Sequence, residues 1–583
     1  NNLKIFFKII VIFISSSIVA LMLNASALLA TKEYSEFSTR SKSEITINPD
    51  GSIKESSSGL SKDYITEYSY GILESFNLFI PRFMGGGSSE LISQDSKLMD
   101  FIKSLDPNQG QQVYQYSRTY WGNQPIVAAP AYVGASILFL FFLGLLTLKN
   151  INMRWLTTLV IISLILSWGK NFNFLTNLMI DFFPLYDKFR AVSSIQVILE
   201  FCVPLLAVIG LNSFLSKKIS EKNKKSILIK TMVITLPLTL IIYFFGDVLF
   251  DFKSNFEIFA NYPDILKLLI EERKILLKTD TLRSLLIILG ITFLLFAYLK
   301  NILSKNVILY SIILIIVVDL WNVNTKYVNA DQFVEKIDVE TPFKLTNADR
   351  AILQDTLDFR VFEPQRGFSN ARTSFFHKSI AGYHAAKPKR IQDLYDFYIS
   401  KNNIDILNML NVKYIIENDP ENPIGVTRNP NNFGNAWFIE KIKNVSNSNE
   451  ELMILDNIDL RSIVVSQELS EKRYSKNILN SVKLKNRKAN HLIYEVKSDS
   501  EQFIVFSEAF YKNGWKSTIN SKPAKHYKVN YLLRGMEVPK GNYDIHFTYK
   551  PKIIMTGSIF VIFGSIILLI SLFIYIKKIL KHV

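Results

Sequence analysis

Residues 553–576, IIMTGSIFVIFGSIILLISLFIYI, decide the fold, because they contain no charged side chain and are followed directly by Lys577 and Lys578. A helix of this length crosses the hydrocarbon core of a bilayer, which is about 30 Å thick. Further apolar runs lie upstream, at residues 9–30, 132–148, 155–168, 195–214, 231–250, 285–299 and 307–321. One such run could be a buried core helix of a soluble protein. Together the runs predict a polytopic α-helical membrane protein with about eight transmembrane helices.

Basic residues occupy every second connection between these runs. They precede the first run, separate the second from the third, the fourth from the fifth and the sixth from the seventh, and follow the last: Lys4, Lys8, Lys149, Arg154, Lys217, Lys218, Lys222, Lys224, Lys225, Lys230, Lys300, Lys305, Lys577, Lys578 and Lys581. Short loops rich in Lys and Arg stay in the cytoplasm. The pattern therefore predicts cytoplasmic termini and four outer segments, 31–131, 169–194, 251–283 and 322–552.

The outer segments differ in their predicted structure. Residues 1–321 form the predicted helical bundle with its large outer loop, and residues 322–460 mix short helices with short strands to give an extracytoplasmic α/β region. Residues 461–552 read as strands separated by turns, so we expect a β-sandwich directly before the last span. The predicted strands are 462–465, 482–485, 489–496, 502–509, 515–519 and 543–549, with turns at 520–523 and 539–542. Residues 553–583 form the final transmembrane helix and a basic tail.

Composition narrows the classes of partner and cofactor. The net charge of +16 is carried largely by the cytoplasmic loops and the outer domain, and no basic helix or aromatic-basic module suggests a nucleic-acid partner. The single cysteine, Cys202, falls inside a predicted span, so disulfide bonds cannot hold the outer domains together. No cofactor is identified, and a requirement for a divalent metal is left open.

The amino terminus allows two interpretations. Two lysines before an apolar run suggest a signal peptide, but the run 9–30 is too long for the apolar part of one. The chain also begins Asn1-Asn2 without methionine. We therefore expect the sequence to start partway through a larger protein.

An aromatic, amphipathic stretch begins at Tyr64 and leads to the triplet Gly85-Gly86-Gly87. It predicts a short helix that lies at the membrane interface or caps a helical bundle. The glycines suit a tight turn after this helix, and a phosphate-binding loop is the alternative.

Charged residues at the outer mouth of the fourth span call for a functional explanation. Lys188 and Arg190 are not needed there for topology, so either lipid headgroups or a phosphate-bearing substrate would account for them. Glu200 lies a turn or two inside the span, where an acid normally faces a partner or a polar cavity. It is therefore a candidate functional group, with a structural ion pair as the alternative.

Short motifs follow one another along nearly the whole chain. They are Ser69-Tyr70-Gly71 with Glu74 and Pro81, Gly85-Gly86-Gly87, Tyr120-Trp121-Gly122-Asn123-Gln124-Pro125, Lys188-Phe189-Arg190-Ala191-Val192, residues 376–384, residues 407–414, Gly434-Asn435-Ala436-Trp437, Gly514-Trp515 and residues 530–535. In this order they resemble the YfhO family of bacterial membrane proteins.

The resemblance implies a glycosyltransferase C-type helical bundle in the bacterial cytoplasmic membrane. Such a protein moves a sugar from a polyprenyl-phosphate carrier to an extracytoplasmic acceptor, which in Gram-positive relatives is a cell-wall polymer such as lipoteichoic acid. The expected partners are thus membrane lipid, a lipid-linked sugar donor and an envelope glycopolymer. The family usually has further helices upstream and an essential acid in its first outer loop, so we expect the main catalytic carboxylate to precede Asn1.

Sugar transfer from a phosphate-linked lipid needs a carboxylate that accepts a proton and cations that hold the departing phosphate. We expect Glu74 and Glu67 to support catalysis, and Arg190, Lys188 and Arg82 to bind the donor phosphate.

In the outer domain, the aromatic and imidazole rings of Tyr383, His384 and Trp515 are candidate acceptor contacts. Core packing for Trp515 and a satisfied loop position for His384 are the alternatives.

Two further functions remain open. The first is a non-catalytic transporter or flippase of a lipid-linked glycan, although the sequence reveals neither internal repeats nor broken helices. The second is a membrane-anchored assembly or sensor protein that binds envelope polymer without turnover.

Overall fold

The computed structural model describes residues 2–54, 59–148, 154–380, 382–417 and 425–580. These residues form two compact units, one made of 61–336 and the other of 1–60 together with 337–583. Lys149 and Lys581, two of the predicted cytoplasmic cations, and Ala381 of a quoted motif lie outside the described residues.

Helices dominate the first two thirds of the chain. In chain order the α-helices are α1 Asn2–Leu23, α2 Ala25–Ser35, α3 Lys62–Ile65, α4 Lys97–Lys103, α5 Pro107–Tyr116, α6 Ala135–Thr147, α7 Arg154–Ser167, α8 Asn173–Phe182, α9 Gln196–Phe214, α10 Glu221–Leu249, α11 Pro263–Leu299, α12 Lys305–Tyr327, α13 Lys336–Glu340, α14 Asn347–Ile352, α15 Arg372–Phe376, α16 Lys389–Phe397, α17 Ile404–Met409, α18 Ser448–Met453 and α19 Lys552–Leu580.

The strands of the described residues lie between α14 and α19. They are β1 Arg360–Phe362, β2 Val412–Ile416, β3 Val426–Arg428, β4 Ala436–Phe438, β5 Lys441–Asn444, β6 Ile463–Ser466, β7 Lys472–Arg473, β8 Ser481–Lys488, β9 His491–Ser498, β10 Gln502–Ala509, β11 Trp515–Ile519, β12 Lys522–Ala524, β13 Tyr527–Val529, β14 Leu533–Val538 and β15 Gly541–Tyr549.

Six helical segments of the described residues are long and apolar enough to cross a membrane. They are Leu3–Leu23, Val192–Phe214, Glu221–Leu249, Pro263–Leu299, Lys305–Gln332 and Lys552–Leu580. A helix pair, Trp155–Ser167 with Gly169–Phe182, would make a seventh span, but it bends by 108°. The chain is thus a polytopic helical membrane protein with six or seven candidate spans, fewer than the eight predicted.

Two apolar runs account for the difference in number. The run 132–148 forms a helix only from Ala135 to Thr147, which is 13 residues and shorter than the roughly 20 that a span needs. The run 155–168 is half of the bent pair. Gly169, at the bend, has φ +47°, a left-handed conformation that glycine adopts without steric cost.

The short helix α6 is the centre of the 61–336 unit rather than a peripheral element. It is buried around most of its circumference and packs against α9. A Cβ on Gly210 would lie 2.1 Å from the Cα of Gly144, so the two helix backbones touch where both residues are glycine. Small residues at such a crossing allow the close backbone approach on which helix packing in membranes depends.

The second unit pairs its first and last helices. A Cβ on Gly557 of α19 would lie 2.4 Å from the Cα of Ser26 in α2, and a Cβ on Gly564 would lie 3.0 Å from the Cβ of Met22 in α1. The two ends of the chain are therefore held together by close packing at glycines.

Within the described residues, four sheets form the β-rich region of this unit. Two are three-stranded, with the orders β1-β2-β3 and β6-β5-β7, and the two larger sheets are antiparallel. The strand orders of the larger sheets are β13-β14-β10-β4 and β12-β11-β15-β9-β8. Side chains from both sheets share one core, including Tyr494, Phe506, Met536 and Phe547. The sheets therefore form a sandwich, to which β4 contributes an edge strand from before residue 461.

Candidate functional site

Glu74 lies in a short 3-10 helix, Leu73–Leu78, and its carboxylate is fixed by three donors. The Tyr120 hydroxyl donates to Oε1 over 2.5 Å, the Gly71 N–H donates to Oε2 over 2.5 Å, and Gln124 Nε2 lies 3.5 Å from Oε2. All three donors are uncharged. The carboxylate thus has a defined orientation, and no described residue forms a salt bridge with it.

Two glycines make room for this carboxylate, because neither has a side chain. A Cβ on Gly122 would lie 2.3 Å from Glu74 Oε1 and 2.4 Å from the Tyr120 hydroxyl. A Cβ on Gly71 would lie 3.0 Å from Glu74 Oε2. Motifs that are about fifty residues apart in the sequence therefore meet around one acidic group.

Burial sets the proton affinity of this group. Glu74 is 1% exposed, and this burial raises its pKa above the usual value even though the Tyr120, Gly71 and Gln124 hydrogen bonds lower it. Burial, and then the nearby charge of Glu74, raise the pKa of Tyr120. A carboxylate with a raised pKa is a stronger base, which suits the acceptance of a proton from a hydroxyl group.

A cavity of about 300 Å³, called here the Glu74 cavity, adjoins this carboxylate. Its size falls at the lower end of the range for small-molecule sites. It combines polar side chains with an apolar wall and is lined by Tyr68, Tyr70, Glu74, Asn77, Gln124, Ile126, Val127, Ala129, Pro130, Ala131, Ala191, Ser193, Ser194 and Gln196. Asn77, Ser193, Ser194 and Gln196 were not singled out in the sequence, because isolated amide and hydroxyl residues carry no motif.

Arg190 is not one of the residues lining this cavity, but it packs against one of them. Its guanidinium carbon is 4.8 Å from the ring centroid of Tyr64 and 5.1 Å from that of Tyr68, which lines the cavity. Arg190 Nη1 is 3.3 Å from Glu67 Oε2, and both side chains are about one third to two fifths exposed. An ion pair this exposed is weak, typically 0 to about 1 kcal/mol, so an incoming anion could replace the Glu67 carboxylate.

The loop that carries Arg190 has an unusual backbone. Leu185 and Ala191 both have left-handed φ values, 67° and 65°, which are sterically unfavourable for residues with a Cβ. Such conformations occur often at binding sites. In the same loop, Lys188 Nζ lies 2.9 Å from Oδ2 of its neighbour Asp187.

Arg82 belongs to a different cavity. Its Nε and Nη2 donate to both carboxylate oxygens of Asp280 over 2.9 and 2.8 Å, and its Nη1 lies 3.4 Å from Glu90 Oε1. These residues adjoin a cavity of about 130 Å³ that is also lined by Arg283 and Lys326 and is called here the Arg82 cavity. The structure therefore does not bring Arg82 together with Arg190.

The glycine triplet forms a turn beside this second cavity. Gly85 and Gly86 have φ values of 84° and 98°, and a Cβ on Gly85 would lie 1.9 Å from the backbone oxygen of Thr119. The Gly87 N–H donates to Glu90 Oε2 over 3.1 Å. An amide that already binds a carboxylate is not available for a phosphate, which favours the turn interpretation.

Glu200 lies one helical turn after Gln196, which lines the Glu74 cavity. Its side chain is exposed and makes no hydrogen bond or ion pair with any residue that the structure describes. The alternative of a structural ion pair therefore receives no support within the described residues.

No hydrogen bond or ring contact links the three outer-domain candidates to one another within the described residues. Tyr383 is 69% exposed, and His384 Nδ1 accepts a hydrogen bond from the Ala386 N–H over 3.1 Å. Trp515 packs on the sandwich, where its ring centroid is 4.1 Å from the guanidinium carbon of Arg534 and 5.2 Å from the Tyr549 ring centroid.

Comparison with known protein families gives a match near the carboxyl end of the chain. Residues 455–561 match the model of the family described as Bacterial membrane protein YfhO. The matched region contains most of the sandwich and the start of α19. It confirms the predicted resemblance to this family over residues 455–561, which include the motifs Gly514-Trp515 and 530–535. No curated protein and no solved structure matches the chain.

Proposed function

We propose, on the premise that this chain is a YfhO family membrane protein, that it takes part in sugar transfer from a polyprenyl-phosphate carrier to an extracytoplasmic envelope glycopolymer. The observation that carries the proposal is the Glu74 carboxylate, which is buried, oriented by uncharged donors and adjacent to a cavity of about 300 Å³. Such an environment is typical of a general base.

The proposed orientation follows the distribution of basic residues. Both ends of the chain lie in the cytoplasm, which requires an even number of spans, such as the six continuous ones. The loops that carry Glu74 and Arg190 then lie on the outer face of the bacterial cytoplasmic membrane. A lipid carrier would deliver its sugar at this face. The helical bundle would then be of the glycosyltransferase C type.

The proposed reaction is a displacement at the anomeric carbon of the donor sugar. A hydroxyl oxygen of the acceptor forms a bond to the anomeric carbon of the donor sugar, and its proton passes to the Glu74 carboxylate. The bond between the anomeric carbon and the phosphate oxygen breaks, and polyprenyl phosphate leaves with the electron pair. The phosphate gains a negative charge in this step, so a cation beside it stabilises the transition state more than the ground state.

Arg190 is the proposed source of that positive charge, with Lys188 in the same loop. The guanidinium group is already held over two tyrosine rings, and its pair with Glu67 is exposed. We propose that the donor phosphate replaces Glu67 as the partner of Arg190. Glu67 would then pair with Arg190 only before the donor binds and would compete with the donor phosphate for it.

One observation favours a second candidate, a flippase for a lipid-linked glycan. The helix pair bent by 108° breaks near Trp168, and this break is tied to the Glu74 segment because the Tyr70 N–H donates to the Ser167 oxygen and Asn171 Nδ2 donates to the Tyr70 oxygen. Broken helices beside a polar cavity are typical of transporters.

Membranes containing the protein and a labelled undecaprenyl-phosphate sugar separate these functions. We expect the label to appear on an acceptor polymer, and Arg190→Gln to reduce this transfer by about tenfold or more. Label that crosses the bilayer without changing carrier would support the flippase. Label that stays on its carrier and in its leaflet would contradict both and favour a binding protein. Unchanged transfer by Arg190→Gln would exclude the phosphate role.

A further inference from the structure

A second aromatic cavity lies in the unit made of 1–60 and 337–583, where α2 and α19 meet the β-rich region. Its volume is about 380 Å³. The lining residues come from α2, from the sandwich and from the start of α19: Ala30, Glu33, Tyr34, Ala489, Tyr511, Trp515, Tyr549, Pro551, Ile553 and Ile554. It is called here the Glu33 cavity.

The walls of this cavity are held by close packing. Beyond the cavity, α2 and α19 touch at Ser26 and Gly557, where an added Cβ would lie 2.4 Å from the Ser26 Cα. On the sandwich side, the ring centroids of Trp515 and Tyr549 are 5.2 Å apart and those of Tyr511 and Tyr549 are 6.4 Å apart. The cavity is therefore a built feature and not a gap between loosely packed elements.

Glu33 is the one charged side chain among the residues that the structure shows lining this cavity. Its Oε1 accepts a hydrogen bond from the Tyr511 hydroxyl over 3.3 Å. Arg534 lies behind Trp515, is buried and is not one of the lining residues. A carboxylate among four aromatic rings suits an ammonium group, since the ring faces attract cations and the carboxylate neutralises them.

The position of the cavity points to a lipid. The apolar part of α19 begins at Ile553, and the apolar part of the α1–α2 region ends near Ala30, so the cavity lies at the end of helices that are apolar enough to cross a membrane. Aromatic residues are enriched at that level, where lipid headgroups lie. Lys550 and Lys552 flank Pro551 of the cavity wall and could meet a headgroup phosphate.

We propose that the Glu33 cavity binds the ammonium end of a zwitterionic phospholipid headgroup. The lining favours this ligand over a neutral sugar, because a sugar needs several hydrogen-bonding groups and most of the lining surface here is apolar or aromatic. The site does not depend on the sugar-transfer proposal, since all its residues lie outside 61–336.

The test is lipid retention by the purified full chain, measured by native mass spectrometry after mixing with equal amounts of phosphatidylethanolamine and phosphatidylglycerol. We expect a preference for phosphatidylethanolamine that falls about tenfold in Glu33→Gln and less in Tyr511→Phe, which keeps its ring. Glu36→Gln is the matched control, because Glu36 is exposed on the same segment and does not line the cavity.

Competing compounds test the class of ligand. Ethanolamine at millimolar concentration should displace the lipid only weakly, because it lacks the acyl chains. Displacement by ethanolamine at the affinity of the lipid would overturn the lipid assignment, and displacement by a neutral oligosaccharide would overturn the ammonium assignment. Equal retention of the two lipids, or the same loss in Glu36→Gln, would overturn the site itself.

Discussion

The Glu74 cavity and the Arg82 cavity, both within residues 61–336, each have a buried acid in the wall. The two acids differ in whether a positive charge neutralises them. Asp280 forms a two-point ion pair with Arg82, so its charge is neutralised inside the protein. Within the part of the chain that the structure describes, the donors to Glu74 are all uncharged. This difference indicates a structural role for Asp280 and a chemical role for Glu74. A paired acid holds helices and loops together, whereas an acid with a raised pKa and no cation beside it remains able to accept a proton.

Removal of the paired acid tests the structural side and should have the largest effect on folding. Asp280→Ala leaves the Arg82 guanidinium buried without its main partner, so we expect the free energy of unfolding to fall by about 3–5 kcal/mol. Denaturant titration in detergent micelles measures this change. Asp95→Ala, at an exposed acid, should change stability by less than about 0.5 kcal/mol. Equal stability of the two variants would contradict the structural role of the pair.

A methyl group beside Glu74 tests the chemical side. Gly122→Ala would place a Cβ 2.3 Å from Glu74 Oε1, so the carboxylate must move, and we expect sugar transfer to fall by about tenfold to a hundredfold. Gly290→Ala is the control, because its Cβ would meet only Ile315 Cδ1 at 3.7 Å. Full transfer by Gly122→Ala would show that the exact position of the carboxylate does not matter.

The raised pKa of Glu74 predicts that the rate of sugar transfer depends on pH. The base must be ionised to act, so transfer should fall as the pH drops through the folded-state pKa, which lies above the ordinary 4.5. The stability of the protein should change with pH in the opposite direction. Glu74 holds its proton more tightly in the folded state, so its contribution to the free energy of unfolding falls as the pH rises from the unfolded-state pKa to the folded-state pKa. A rate profile whose acidic limb lies at or below pH 4.5 would contradict this environment.

The smallest effect on sugar transfer is expected at the exposed ion pair between Arg190 and Glu67. Glu67→Gln removes a competitor for Arg190, so we expect the KM for the lipid-linked donor to fall about twofold to fivefold with little change in stability. Steady-state kinetics in mixed micelles measure the KM. A large fall in kcat would instead indicate that Glu67 acts on the reacting groups directly.

Local sequence patterns predicted part of the β-rich region but missed β12, β13 and β14. The strands β10 and β11 have the predicted bounds, and the predicted turn at 520–523 begins with Asn520 and Ser521, both in left-handed conformations. Alternation and turn residues are local signals, so they need no knowledge of distant contacts. Apolar length was a poorer guide to the helices, because it does not show where α6 begins or that the run after it bends at Gly169.

Long-range contacts explain what the sequence could not show about the site. Glu74 stood in one motif and Tyr120 and Gln124 in another, and only the fold brings the hydroxyl and the amide to the carboxylate. Arg82 looked like a free cation until its partner Asp280, 198 residues away, was known. A sequence lists charged residues, but the pairing of their charges is a property of the fold.

The central claim is that Glu74 accepts the proton of the acceptor hydroxyl, and Glu74→Gln tests it most directly. The variant keeps the size of the side chain and removes the base. In membranes supplied with a labelled undecaprenyl-phosphate sugar, we expect transfer to fall by about 10²- to 10⁴-fold while the protein stays folded and still binds the donor. Transfer at the rate of the unaltered protein by a folded Glu74→Gln variant would contradict the claim.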